Sequence, residues 1–196
     1  ELPREELLKY IGFMLQDVER LSVNINSMLN LARIESRVYE KEFAPVDVIE
    51  TVRRFLAANR HIFKDSEIQV DAAAGQAIFH PVIVSLFEML LMNILTNAIK
   101  YNASGRPRMV ISFEEGRDAL FIRFRDNGIG LTKEEKKSIF KKFYQGHRPD
   151  NVTSGGSGIG LYLVQQIARL HKGRITADSE GEGKGSLFTL SLPYSR

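Results

Sequence analysis

Residues Glu88 to Tyr101 read EMLLMNILTNAIKY, and the reading of this stretch decides the fold. It predicts one long, largely buried helix that carries polar groups on one side. Asn93, Asn97 and Lys100 stand at spacings of 4 and 3, so they share a helical face. Met89, Leu90, Met92, Ile94, Leu95, Ala98 and Ile99 occupy the remainder. A core helix that presents amide, amide and ammonium along one stripe needs something polar to face. Asparagine offers a neutral carbonyl oxygen, a hard donor suited to Mg²⁺. Lysine offers a positive point charge suited to phosphate. The stripe points to a metal–nucleotide complex. A half-exposed amphipathic helix with two solvated asparagines is the plainer reading, and this helix alone does not choose between them.

Two downstream segments add weight. Arg125 to Leu131 reads RDNGIGL and follows Leu120-Phe121-Ile122-Arg123-Phe124, whose alternation predicts a strand. Gly128 and Gly130 let the backbone turn sharply and let a flat ring approach. Asp126, at the strand end, is an acceptor for an exocyclic amine. Ser154 to Val164 reads SGGSGIGLYLV, a glycine cluster opening into an apolar-periodic helix. Such a start exposes backbone N–H groups to an anion. It is not a Rossmann motif, because the preceding Gln145 to Thr153 is polar and contains Pro149. The Gly-x-x-x-x-Gly-Lys-[Ser/Thr] pattern of a P-loop does not occur.

The order of these segments resembles the ATP-binding domain of sensor histidine kinases, part of a wider group with gyrase-type, mismatch-repair and heat-shock chaperone ATPases. The pattern's boxes occur in order: the Asn box at Asn93 to Tyr101, Asp-x-Gly-x-Gly at Asp126 to Gly130, the Phe box at Ile139 to Tyr144, and Gly-x-Gly-x-Gly at Gly156, Gly158 and Gly160, followed by Leu161. The tail from His171-Lys172-Gly173 through Gly185-Ser186-Leu187-Phe188 to Pro193 fits the family's closing strands. The resemblance covers essentially the whole chain.

The N-terminal third supplies a second argument. Leu8, Ile11, Leu15, Val18, Ser22, Ile25, Leu29 and Ala32 recur at spacings of 3 and 4, with Leu7, Met14, Leu21 and Met28 every seven residues beside them. This double-width stripe suits a four-helix bundle better than a two-stranded coiled coil. From Pro3 to Val38 the helix would be roughly 50 Å long. It requires a hairpin partner and, most simply, a second copy of the chain; packing on its own globular domain is the alternative. The stripe and its Asn30-Leu31-Ala32-Arg33-Ile34-Glu35 ending resemble the second helix of the histidine kinase dimerisation domain.

In that family the phosphorylated histidine lies on the first bundle helix in a His-Glu/Asp-x-x-x-Pro pattern, which does not occur here. His61 reads as part of a polar helix, His80 as a turn or cap residue before Pro81, His147 as lid, and His171 as the opening of a strand turn. The chain is therefore expected to begin in the hairpin loop at Glu1-Leu2-Pro3, without the first helix. Of the 196 residues, 43% are hydrophobic and 26% charged, an ordinary globular balance. A net charge of +3 is too small to imply nucleic acid. Without cysteine there are no disulfides or thiolate metal sites. No apolar run reaches the length of about 18 residues that a membrane span needs, and no signal peptide opens the chain. The expected location is cytoplasmic, with no direct membrane contact from these residues; relatives are usually tethered through upstream segments.

The expected fold class is α+β: a two-layer α/β sandwich of the histidine-kinase/gyrase-type ATPase kind, preceded by a long bundle-forming α-helix. Residues 1–41 would form the bundle helix and 42–196 the catalytic ATP-binding domain. Residues 42–46 read as a linker or edge strand, and Asp47 as the cap of a helix reaching about Arg60. Ile68–Val70 and Gln76–Phe79 read as short strands around Gly75, and Pro81 as the start of the Asn-box helix. Residues 108–114 with 119–126, and 174–179 with 185–192, read as strand pairs. Residues 141–157 read as a mobile lid.

The resemblance implies ATP and Mg²⁺ as cofactors. Asn97 would ligate Mg²⁺, Lys100 would contact the phosphates, and Tyr101 would lie against adenine or ribose. Asp126 would accept from the adenine amine, with Ser186 holding a bridging water, and Gly128 and Gly130 would belong to the same nucleotide site. Gly156, Ser157, Gly158, Gly160 and Leu161 would wrap the phosphates. Phe140 and Phe143 would pin the lid, and Arg148 would reach the γ-phosphate. Hydrolysing relatives carry a Glu base where Asn93 stands, and an amide cannot deprotonate water. Partners would be a response regulator and a second copy of the chain. A gyrase/chaperone-type ATPase, an anti-sigma-type serine kinase and a non-catalytic nucleotide-binding module are the alternatives.

Overall fold

The computed structural model describes residues 3–36, 42–102, 105–146 and 157–194. The chain opens with α1 (Arg4–Glu35), a 32-residue helix. A short edge strand, β1 (Ala44–Asp47), leads into α2 (Val48–Ala58). As expected, Asp47 caps α2: its Oδ1 accepts from the N–H groups of Ile49 and Glu50, and also from Ile78 in the next segment. There follow β2 (Glu67–Asp71), β3 (Phe79–Val82) and α3 (Val84–Lys100), then the hairpin β4 (Arg108–Glu115) and β5 (Ala119–Asp126). A short α4 (Lys133–Ser138), then α5 (Gly160–Leu170), β6 (Arg174–Asp178) and β7 (Leu187–Pro193), complete the chain.

The five-stranded sheet runs β2-β4-β5-β7-β6. β2 pairs parallel with β4, and the other neighbours are antiparallel. The strands alternate: Met109 and Ile111 on β4, Leu120, Ile122 and Phe124 on β5, and Phe188, Leu190 and Leu192 on β7 all point into one core. α2, α3 and α5 close that core, so the sheet is mixed and its helices lie on one face. The expected two-layer sandwich is the observed one.

Four local expectations are corrected. The segments at 68–70 and 76–79 do not form a pair: β2 joins the main sheet, whereas β3 pairs with β1 in a separate two-stranded sheet. Pro81 does not start a helix. It sits within β3 opposite Pro45, where a strand with a single neighbour does not need its N–H, and α3 begins at Val84. His80 is no turn residue but a buried strand residue, with ring nitrogens 3.2 Å from the carbonyls of Pro81 and Pro193. His61 lies in the turn after α2 rather than in it.

α1 meets the sandwich only near its C-terminus, where Leu31 and Ile34 are buried and the helix packs on α5. Its stripe from Leu7 to Leu29 is exposed. Among the described residues no helix is long and apolar enough to cross a membrane.

Candidate functional site: a cleft beside the Asn-box helix

A cleft of about 650 Å³, including its open mouth, lies at the C-terminal end of α3. Asn97, Ala98 and Tyr101 line it from α3, and Asp126 from the end of β5. Ile129, Gly130 and Leu131 come from the following loop, Glu135 and Ile139 from α4 and its end, Leu161 from α5, and Ser186 and Phe188 from the β7 side. Tyr144 and Gly146 close the remaining edge. Most of this lining is apolar, with a few convergent polar groups, the usual character of a small-molecule site.

Asp126 is held firmly. Its Oδ1 accepts from the N–H of Gly128 at 2.8 Å and of Ser186 at 3.0 Å. Burial pushes this carboxyl above the ordinary carboxylate range, and the same two N–H groups pull it back down. The strand end and the β7 entry are joined again by Asp126 N–H donating to Ser186 O. Gly128 is required by close approach: a Cβ there would stand 2.7 Å from Tyr101 O, and Ile129 N–H donates to that same carbonyl. The Asp-x-Gly-x-Gly loop is thereby fastened to the end of α3.

α4 begins with a capping box. Thr132 Oγ1 accepts from Glu135 N–H, and Glu135 Oε2 accepts from Thr132 N–H. This fixes Glu135 at the cleft wall. Phe140 packs edge-on against Phe188, ring centroids 6.4 Å apart, so it belongs to the core side.

Among the described residues, the remaining expected ones lie around the cleft without lining it. Asn93 spends its amide on Met89 O at 2.8 Å, and a Cβ at Gly160 would stand 2.6 Å from Asn93 Oδ1. Gly160 therefore allows α5 to press on α3. Lys100 Nζ stands 5.3 Å from the Tyr101 ring centroid in the last turn of α3. Gly158, at φ +67°, packs its α-carbon against the Phe143 backbone, and Phe143 N–H donates to Gly158 O. Phe143 itself is 57% exposed and has a positive φ of 64°. Ser157 Oγ accepts from Ile159 N–H at the entry to α5. Arg148, His147 and Gly156 lie outside the described residues.

Sequence reasoning missed Glu135, Ile139, Tyr144 and Phe188 as lining. Glu135 carried a signal in the Thr132-x-x-Glu135 pattern, and Ile139 and Tyr144 one in the Phe box that they bound. His171 stands, as expected, in the turn that leads into β6, and it is also a core residue. It ends α5 buried, accepts Ile83 N–H on Nε2 at 3.0 Å, and faces Ile167 O through Nδ1 at 2.8 Å. With Nε2 accepting, Nδ1 must carry the proton.

The profile of the histidine kinase-, DNA gyrase B- and HSP90-like ATPases matches residues 83–196, which contain α3, the glycine loops and the whole cleft lining. The chain belongs to this family. Within it, the chain is similar to the sensor histidine kinase MtrB of Mycolicibacterium paratuberculosis, 33% identical over 192 residues, covering 97% of this chain and 33% of that protein. It thus spans about a third of the length of the curated relatives it matches. The fold is that of the Acinetobacter baumannii histidine kinase AdeS, with a TM-score of 0.74 at 23% identity over 100% of this chain and 88% of the other. The histidine kinase ThkA, solved in complex with response regulator protein TrrA, superposes with a TM-score of 0.71 at 20% identity, over 100% of this chain and 53% of that one. Family and relatives together make this a domain of the ATPase family that is similar to the corresponding part of sensor histidine kinases.

Proposed function

We propose that this chain is the catalytic portion of a sensor histidine kinase, which binds Mg-ATP in the cleft and transfers the γ-phosphoryl to a histidine on an upstream bundle helix for relay to a response regulator. The observation that carries this is the convergence of Asn97, Tyr101 and the anchored Asp126 on one apolar cleft. A purine fits such walls, and Asp126, with Oδ1 fixed by two N–H groups, offers Oδ2 to an exocyclic amine. Asn97 supplies a single neutral carbonyl oxygen on the cleft wall, which suits a cation carried in by phosphates rather than caged by protein. Mg²⁺, when bound, would neutralise charge on those phosphates. Lys100, one turn on, would contact them, with Gly156, Ser157, Gly158, Gly160 and Arg148 on the lid side.

In the transfer, a histidine nitrogen forms the new N–P bond, the bond from the γ-phosphorus to the bridging oxygen breaks, and ADP leaves. The imidazole releases its N–H proton. The protein's part is to position and to exclude water. Asn93 has no basic group and its amide is spent on Met89 O, so water is not activated and the phosphoryl is kept for the histidine. We assign residues 1–41 to the bundle helix and 42–196 to the ATP-binding domain, working in the cytoplasm. The exposed stripe of α1 would join a second copy of the chain, and a response regulator would be the onward acceptor, as ThkA is solved with TrrA.

Calorimetric titration should show Mg-ATP binding to the wild-type chain, and Asn97→Asp, by setting a carboxylate beside the phosphates, should weaken it by roughly tenfold or more. The γ-label should pass to a supplied bundle fragment carrying a histidine, as acid-labile, base-stable phosphate. Unchanged affinity in Asn97→Asp would count against the site. Label released mainly as free phosphate at rates typical of enzymes would replace the kinase with an ATPase.

A further inference from the structure

The turn between β6 and β7, residues 179–186, backs the loop that forms one wall of the cleft. Besides the bond from Ser186 N–H to Asp126 Oδ1, four backbone or side-chain contacts join them in register. Asp126 N–H donates to Ser186 O, Gly185 N–H to Gly128 O at 3.1 Å, and Gly183 N–H to Ile129 O at 2.6 Å. The fourth is Ser179, whose Oγ accepts from Leu131 N–H at 3.1 Å. The same Oγ accepts from Gly181 N–H at 3.2 Å and lies 2.7 Å from Gly185 O and 3.1 Å from Gly181 O. A hydroxyl has one proton and two lone pairs. Two accepted N–H groups and one donated proton, best placed on Gly185 O, use it completely. Gly130 packs its α-carbon directly against Gly181 O, so the wall has no slack behind it.

α4 is tied to the same point. Lys136 Nζ reaches Asp178 Oδ1 at 2.8 Å and Ser179 O at 3.2 Å, while Asp178 Oδ1 also accepts Ser179 N–H. Ile129, Gly130, Leu131 and Glu135 line the cleft, whereas Ser179 does not. The geometry points to Ser179 as a positioning residue for the purine end of the nucleotide site: its hydroxyl sets where the Ile129–Leu131 wall stands relative to Asp126. This rests on the reading of the cleft as an ATP site. Without the hydroxyl, the N–H groups of Leu131 and Gly181 lose their acceptor and Gly185 O its donor, and the wall must open to re-satisfy them. The phosphate end, on Asn97 and Lys100, is on α3 and keeps its place.

The test is calorimetric titration of Mg-ATP, Mg-ADP and Mg-GTP into the wild-type chain, Ser179→Ala and Ser179→Thr, with unfolding temperatures measured alongside. Ser179→Ala should weaken ATP and ADP by the same factor, about fivefold to tenfold. Its preference for ATP over GTP should shrink, and Ser179→Thr, which keeps a hydroxyl, should restore both. A purely structural serine would lower the unfolding temperature and leave the ATP-to-GTP ratio unmoved; that result, or an ATP affinity within about twofold of wild type, would overturn the assignment. Should Ser179→Ala fold poorly, the surface variant Lys136→Met loosens the same tie and should weaken ATP and ADP about twofold alike; no change there would overturn it equally. A wild-type chain that bound no adenine nucleotide would instead remove the ATP reading itself.

Discussion

α1 and α3 are both rich in apolar side chains, and their surroundings are opposite. Leu91 and Leu95 on α3 are fully buried, whereas Leu8 and Leu15 on α1 are 59% and 60% exposed. α3 is closed by α2, α5 and β4 within this chain. α1 is closed only near its end, where Leu31 and Ile34 pack with α5. Helical periodicity therefore announces that a stripe must be covered without saying by what. On α3 the polar stripe reaches the cleft through Asn97, while Asn93 turns its amide back to Met89 O.

The largest effect should come from the closed helix. Leu95→Ala removes a fully buried side chain at the centre of the core and should cost about 2–5 kcal/mol of unfolding free energy in a urea titration. A loss below about 1 kcal/mol would mean that α3 can re-pack and would blunt the contrast. Next comes the joint between the two regions. His171 accepts Ile83 N–H at the start of α3, and the Phe43 ring, on the segment leading out of α1, stands edge-on to it at 5.2 Å. Burial holds this imidazole below its ordinary value near 6.5; its bond to Ile167 O opposes that, and nearby His80 reinforces it. The unfolded chain thus binds the proton first. The stabilisation is complete above about pH 6.5 and is lost as the pH falls below it, at up to roughly 1.4 kcal/mol per pH unit. His171→Gln, compared with wild type between pH 7 and 5, should flatten that part of the profile, and parallel curves would exclude His171 as its source. The smallest effect on the single chain should come from the open helix. Leu15→Glu should change unfolding free energy by within about 0.5 kcal/mol in dilute solution while reducing self-association in sedimentation at high concentration. A loss above about 2 kcal/mol would show that the stripe is covered intramolecularly.

Much of this was legible in the sequence for stated physical reasons. The α2 cap at Asp47, the β4–β5 hairpin and α3 all rest on local rules, and local rules held. The parallel pairing of β2 with β4 did not show, because it joins segments separated by β3 and α3, and nothing in either strand names its neighbour. Pro81 misled because proline suits a first helical turn as well as an edge strand, and only the partner strand decides. His80 read as a turn or cap residue and His171 as the opening of a strand turn, without a sign of their burial, because burial of a histidine depends on finding carbonyls and N–H groups that come from distant segments. In the cleft, Asn97, Tyr101, Asp126, Gly130, Leu161 and Ser186 come together as the motifs suggested. Ile139 and Tyr144 bound the Phe box and Phe188 lies in the closing-strand tail, but those patterns did not say that the three side chains line the cleft, which packing decides.

The bond from Phe143 N–H to Gly158 O closes the chain into a ring just outside the cleft. Its two ends are fixed by main-chain contact, not by whatever lies between them. For a closed ring, the entropic cost of added length grows only logarithmically, about 0.6 kcal/mol for each doubling. The bond itself therefore sets Phe143 beside Gly158 with little dependence on how many residues the ring contains.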